Sequence, residues 1–313
     1  MTTKLCSLLG IRYPIIQGGM AWIADAALAA AVSNAGGLGI IAAGNAPAQW
    51  VRDQIKLAKT LTQQPFGVNI MLMSPHSAEI AIVVAEEKVA VVTTGAGDPS
   101  PYIRDWAAAG VKIIPVVASV AFAKRVAKRG VAAIIAEGGE AGGHIGDLTT
   151  MALVPQVTDA VDVPVIAAGG IGDGRGIAAA FMLGAVGVQV GTRFLVAKEC
   201  NIHQNYKDKI IKASDISTIA TGKRLGHPVR ALKTPFSRNF FAKEYDSTVT
   251  NEKLEALGAG ALKRAVDGDE ENGCFMAGQI AGMITHEQTA AEIIHEMFEQ
   301  ANATMNMYRP CQF

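Results

Sequence analysis

The 313 residues are half apolar and 18% charged, with 33 glycines and 28 basic against 28 acidic side chains. That length suits a single α/β barrel of roughly 250 residues with additions better than it suits two ordinary domains. Zero net charge excludes a general binder of nucleic-acid phosphates, which needs an excess of Lys and Arg, so any polyanionic partner must find a local basic patch.

The cysteines Cys6, Cys200, Cys274 and Cys311 are too scattered for a C-x-x-C pair or a zinc knuckle, so no structural metal is expected and a cytoplasmic setting is. Residues 1–10 lack the apolar core and cleavage site of a secretory signal. The uncharged stretch 26–51 has the length of a membrane span, but Ser33-Asn34, Gly36-Gly37, Asn45 and Pro47 interrupt it. It reads as helix, turn and buried strand, and no membrane association is expected.

Eight short runs rich in Val and Ile follow in order, at 14–17, 38–42, 66–72, 90–94, 111–117, 132–136, 163–167 and 186–190. Each precedes a longer segment with helical spacing, and the runs are continuously apolar, as a parallel sheet covered on its faces requires. Gly36, Gly110, Gly130 and Gly184 stand where a left-handed residue closes a helix, and Asp25 and Asp173 where a helix needs an N-cap. Eight such units in 200 residues predict a (β/α)8 TIM barrel over residues 1–200, with a doubly wound open sheet as the structural competitor. Residues 201–313 read as a mainly helical elaboration packed on the barrel. It has helices expected at 252–265 and 288–305, an irregular stretch at 215–247, and an apolar element at 273–282.

Barrel chemistry sits at the carboxyl ends of the strands, and the segments following the runs are rich in glycine. They include Gly18-Gly19, Gly95-Ala96-Gly97, Gly138-Gly139, Gly142-Gly143, Gly169-Gly170 and Gly191. Glycine lets a ligand approach the backbone, so these loops predict a ligand at the barrel mouth. The loops after the seventh and eighth strands are the usual barrel phosphate site, which makes Gly169, Gly170, Gly191 and Thr192 the expected phosphate cradle. No Rossmann fingerprint competes: the G-x-G-x-x-A match at 37–42 runs into a strand, and Arg175 spoils the glycines from Gly169 onward.

His144 closes a glycine-rich loop on this face. It could hydrogen-bond a carbonyl that gains negative charge, or be a loop histidine satisfied by a carboxylate such as Glu140; the surrounding glycines favour function. Asn69 could read a heterocycle's donors and acceptors or simply satisfy a turn, and Met20 could lie against a flat ring or fill core. Met276 and Gln279 could cover such a ring if their segment folds over the barrel mouth. A basic stretch from Lys207 to Lys243 reads as a solvated face, or alternatively as a dock for an acidic carrier or a nucleotide phosphate.

The segments YPIIQGGMAW (13–22), NAGGLGIIAAGNAP (34–47), PFGVNIMLMSP (65–75), IAEGGEAGGHIG (135–146), VPVIAAGGIGDG (163–174) and VQVGTRF (188–194) carry a resemblance. So do GHPVRALK (226–233) and FMAGQIAG (275–282). Together they resemble the FMN-dependent enoyl-acyl-carrier-protein reductases of type II fatty-acid synthesis, within the nitronate monooxygenase-like flavoproteins. The resemblance implies FMN across the barrel mouth, with its phosphate at Gly169, Gly170, Gly191 and Thr192. Gly19, Met20 and Ala21 would line the ring, with Asn69, Glu137, Met276 and Gln279 as further cofactor contacts. It also implies NADH or NADPH as co-substrate, a monovalent cation, an acyl carrier protein bearing the enoyl substrate, a homodimer, and His144 as the catalytic residue. Oxidation of alkyl nitronates is the alternative activity.

Overall fold

The computed structural model describes residues 3–308; the tail at 309–313, with Cys311, lies outside it. Its strands are β1 (Ile15–Gln17), β2 (Gly39–Ala42), β3 (Phe66–Met71), β4 (Val91–Gly95), β5 (Lys112–Val117), β6 (Ile134–Glu137), β7 (Gly143–His144), β8 (Val165–Ala168), β9 (Gly187–Val190), β10 (Thr218–Thr221) and β11 (Val229–Leu232). Eight of them pair in parallel in the order β1-β9-β8-β6-β5-β4-β3-β2. A parallel bridge between Ile16 and Leu38 closes the ring. The expected barrel is present, each apolar run supplying one strand.

The local signals act as expected. The Asp25 carboxylate accepts the Leu28 N–H at 3.0 Å, and the Asp173 carboxylate accepts those of Arg175 and Gly176 at 2.9 and 3.3 Å. Gly36, Gly110, Gly130 and Gly184 have φ of 93°, 79°, 81° and 95°, the left-handed conformation that ends a helix.

The barrel is filled from its amino end. Helix Lys4–Leu9 inserts Leu5 and Leu9 into a cluster with Ile16, Ile40, Ile114 and Ile166. At the start of β9 a Cβ on Gly187 would come within 2.4 Å of Leu5, so glycine there makes room for the plug. Free space is left at the opposite end.

Three expectations past residue 200 need correction. Helix Ala290–Tyr308 packs chiefly on helix Gly174–Met182 and also on helix Ala26–Asn34, which makes it the eighth helix of the barrel ring. The barrel is therefore not finished at residue 200: what lies between is an insertion that separates the last strand from its helix. The stretch expected to be irregular holds β10 and β11, an antiparallel hairpin whose second strand also pairs with β7, followed by helix Pro235–Glu244 with a Thr234/Ser237 capping box. The helix expected at 252–265 is two, Asn251–Gly258 and Ala261–Val266, parted by Gly260 at φ 70°. No described helix is long and apolar enough to cross a membrane.

Because Leu5 is wholly buried against the barrel floor, Leu5→Ala is expected to cost roughly 2–5 kcal/mol of stability, read as a lower urea midpoint.

Candidate active site

A cavity of about 900 Å³ opens at the carboxyl ends of the strands and is lined by the loops singled out from sequence. Two kinds of glycine form it. Gly169 and Gly170 hold φ of 90° and 68°, and a Cβ on Gly169 would strike the Gly138 carbonyl at 2.7 Å, so the chain's own geometry demands them. Gly95 and Gly191 differ. Neither has a positive φ; a Cβ on Gly95 would meet nothing within 4 Å, and one on Gly191 only the Met20 side chain at 3.8 Å. Side chains there would project into open cavity, so it is a guest that has use for their absence. Ala96 and Trp22, also on the lining, hold φ of 52° and 65°, backbone strain of the kind that gathers at functional sites.

Gly19, Met20 and Ala21 form one wall, following β1. A Cβ on Gly19 would lie 2.5 Å from the Asn69 side chain, so the two pack in direct contact. The Asn69 amide N–H2 donates to Thr93 Oγ1 at 3.0 Å across the β3–β4 register, which fixes the orientation of an amide that borders the cavity. The wall opposite carries Glu137 at the end of β6. Among the described residues its one side-chain partner is the Gln189 amide on β9, which donates at 3.4 Å, and burial pushes the carboxyl up to about 7. A carboxyl so placed has capacity left for a ligand N–H or O–H.

His144 lies on β7, held in register opposite Val229 of β11, and its side chain is exposed to the cavity. Glu140 is not its partner. That carboxylate accepts the Thr150 N–H at 3.0 and 2.9 Å and the Thr150 hydroxyl at 3.0 Å, anchoring the loop to the next helix instead. The neighbour of His144 is His227, ring centroids 6.4 Å apart. Desolvation by the site walls, then His227, lowers the His144 pKa below the ordinary histidine value.

Segment 276–280 does fold over the barrel mouth. The Gly278 N–H donates to Thr192 Oγ1 at 2.9 Å and the Gln279 N–H to the Glu140 carbonyl at 2.9 Å. This brings Met276 to the lining with Gly169, Gly170, Gly191 and Thr192, but leaves the Gln279 side chain exposed and off the cavity lining. The basic stretch is not a uniform solvated face. Lys207 is buried and bonded to the Ala197 carbonyl and Glu287, Arg224 ties down the carbonyls of Glu244, Asp246 and Val249, and Arg230 clamps the Gly139 carbonyl at 3.0 and 2.9 Å. Arg230 and Gln189 were missed from sequence. A glutamine inside the apolar run VQV was a signal for the second; nothing local marked the first.

A nitronate monooxygenase family model matches residues 2–86 and 76–300. The structure of FabK from Thermotoga maritima superposes with a TM-score of 0.96 at 48% identity, covering 99% of both chains. A Rhodococcus jostii protein named (3aS,4S,5R,7aS)-5-hydroxy-7a-methyl-1-oxo-octahydro-1H-indene-4-carboxyl-CoA dehydrogenase is 41% identical over 237 residues, 75% of this chain and 66% of that one. A Staphylococcus saprophyticus protein named probable nitronate monooxygenase is 32% identical over 98% of this chain and 99% of that one.

Two titrations follow from the geometry. Removing the neighbouring imidazole in His227→Asn is expected to raise the His144 pKa, observable in its imidazole NMR shifts; an unchanged value would make the desolvation the whole cause. For Glu137, whose folded pKa of about 7 exceeds the unfolded 4.5, the stability of the ligand-free chain is full below the unfolded value and falls as pH rises through the folded one, by roughly 3 kcal/mol in all. Glu137→Gln should lack that decline in urea unfolding between these limits.

Proposed function

The chain belongs to the nitronate monooxygenase family, a family of oxidoreductases, and within it we propose that it is an FMN-dependent enoyl-acyl-carrier-protein reductase using NADH or NADPH. The observation that carries this reading is the likeness to FabK, an enoyl-acyl-carrier-protein reductase, at 48% identity over essentially the whole of both chains. The Rhodococcus relative supports a thioester substrate, since its name specifies a coenzyme A ester.

The residues fit the cofactor. Gly95 and Gly191 leave room that packing does not require, the loops of Gly169, Gly170, Gly191 and Thr192 offer backbone N–H groups to a phosphate, and Asn69 and Glu137 offer an amide and a carboxyl to a ring rich in donors and acceptors. When bound, FMN supplies a two-electron carrier that accepts hydride from NADH or NADPH and returns it to the β-carbon of the enoyl thioester. The absence of a Rossmann fingerprint accords with a nicotinamide that visits and leaves.

This chain's part in the reduction is positioning and charge. As hydride reaches the β-carbon, negative charge develops on the thioester oxygen and a proton from solvent water must reach the α-carbon, turning the double bond into a single one. The His144 imidazole, facing the cavity with its pKa held down, donates an N–H to that oxygen. The protein acts in the cytoplasm on substrate delivered by an acyl carrier protein, and as a homodimer.

Nitronate oxidation is the second reading, favoured by the family model and the Staphylococcus relative. Anaerobic spectroscopy separates the two. We expect NADH or NADPH to bleach the bound flavin and a crotonyl thioester to restore its colour. Bleaching by an alkyl nitronate with no response to the thioester would replace the proposal. In His144→Ala the restoring step is expected to slow by about 10²-fold with flavin still bound.

A further inference from the structure

Residues 207–243 are the basic stretch that the sequence offers as a dock for an acidic partner, and the fold engages its Lys207, Arg224 and Arg230 in internal bonds. A different basic face is left open. Helix Val120–Ala127 and the two residues after it present Ala121, Lys124, Arg125, Lys128 and Arg129, whose spacing of three and four puts them on one side. These five are exposed and line a single surface hollow, while Ala123 and Val126 on the other side are buried.

Nothing in the helix itself calls for this stripe. The helix dipole favours cations near a carboxyl end, but Lys124 and Lys128, and Arg125 and Arg129, stand four positions apart, where like charges repel. No Asp or Glu occurs between residues 119 and 130. Among the described residues the one carboxylate paired with any of the four is Asp98, 3.4 Å from Arg125. That carboxylate already accepts the N–H and hydroxyl of Ser100.

The stripe starts at the mouth of the active site. Phe122, in the first turn of the helix, lines the cavity, and the Arg125 guanidinium lies over its ring, 4.8 Å from the centroid. Lys128 follows about 9 Å further along the helix. The loop before helix Thr150–Thr158, which lines the cavity at Ile145 and Gly146, packs against the start of the basic helix: a Cβ on Gly146 would come within 2.6 Å of Ala118. Loop and helix there leave Leu148 and Met151 38% and 66% exposed. Cations and bare apolar side chains thus meet at one side of the cavity that holds His144.

We propose that this face docks an acidic carrier protein, which sets a row of carboxylates along Lys124, Lys128 and Arg129 and apolar side chains on Leu148 and Met151, so that its thioester enters past Phe122. Charge complementarity selects the occupant: cations spread along a helix, on separate side chains, suit a row of carboxylates better than one compact phosphate. The proposal deepens the reductase reading and rests on it for the thioester that the carrier bears.

The test uses the flavin-loaded protein and the double variant Lys124→Glu/Lys128→Glu, at two exposed positions off the cavity lining. A crotonyl thioester is offered on acyl carrier protein and on uncharged N-acetylcysteamine. The variant is expected to lower kcat/KM for the carrier-borne substrate by about 10-fold or more and to leave that for the small thioester within about 2-fold. Added salt should depress the carrier-borne rate in the unaltered protein far more than in the variant. Met151→Asp should likewise weaken only the carrier-borne reaction. Fluorescence anisotropy of labelled carrier without an acyl group repeats the comparison without turnover. Equal binding by the variant and the unaltered protein overturns the dock, as does an equal loss for both thioesters. So does a loss confined to crotonyl-coenzyme A, which would make the stripe a reader of nucleotide phosphates, or one confined to binding of anionic lipid vesicles. If neither thioester is reduced but the carrier binds and the double variant abolishes that binding, the reductase reading fails and the dock stands.

Discussion

The site depends on how the barrel is filled. Eight parallel strands enclose a volume that must be occupied by side chains, and Leu5 and Leu9 enter from the amino end to occupy its floor. The carboxyl end is thereby left as the one place where strands terminate in loops that need not meet one another. Gly95 and Gly191 keep side chains out of that space without any demand from packing, which is how a barrel remains closed below and open above.

The open end is then secured by polar contacts that join segments far apart in sequence. Arg230 grips the Gly139 carbonyl, Glu140 grips Thr150, Thr192 receives the Gly278 N–H, and β11 pairs with β7. Each ties the insertion or a loop to the barrel rim, so His144 and Met276 are presented by a braced frame rather than by free loops. Removing the insertion would take away one partner from most of these bonds. The catalytic face is for that reason a joint product of the barrel and the segment that interrupts it.

How much of this was legible in the sequence depends on the range of the interaction. The eight strands, the Asp25 and Asp173 caps and the terminating glycines are set by residues within a few positions of one another, and were readable. So was the glycine-rich rim with His144, because βα loops follow their strands directly. The β10–β11 hairpin was not: its strands are four residues each and the turn between them contains a short helical segment flanked by Gly222 and Gly226 in left-handed conformation, no two-residue hairpin signal. The role of helix 290–308 as the eighth of the ring escaped because only its partners, far back in the chain, distinguish a barrel helix from an appended one. The grip of Arg230 on Gly139 spans 91 positions, and in sequence that arginine was one of several charges in a basic run. At Gln279 the two parts of the residue differ: its backbone N–H ties the segment to the Glu140 carbonyl while its side chain is exposed.

Two of the titratable groups on the cavity lining, Glu137 and His144, are pushed toward their neutral forms, Glu137 upward and His144 downward, and desolvation is the leading cause for each. Enclosure therefore weakens fixed charge at these two side chains, beside the place where negative charge would develop on a reacting carbonyl oxygen. In such a medium a hydrogen bond from a neutral imidazole or a backbone N–H counts for more than it would in water, because neither solvent nor a standing counter-charge competes for the oxygen.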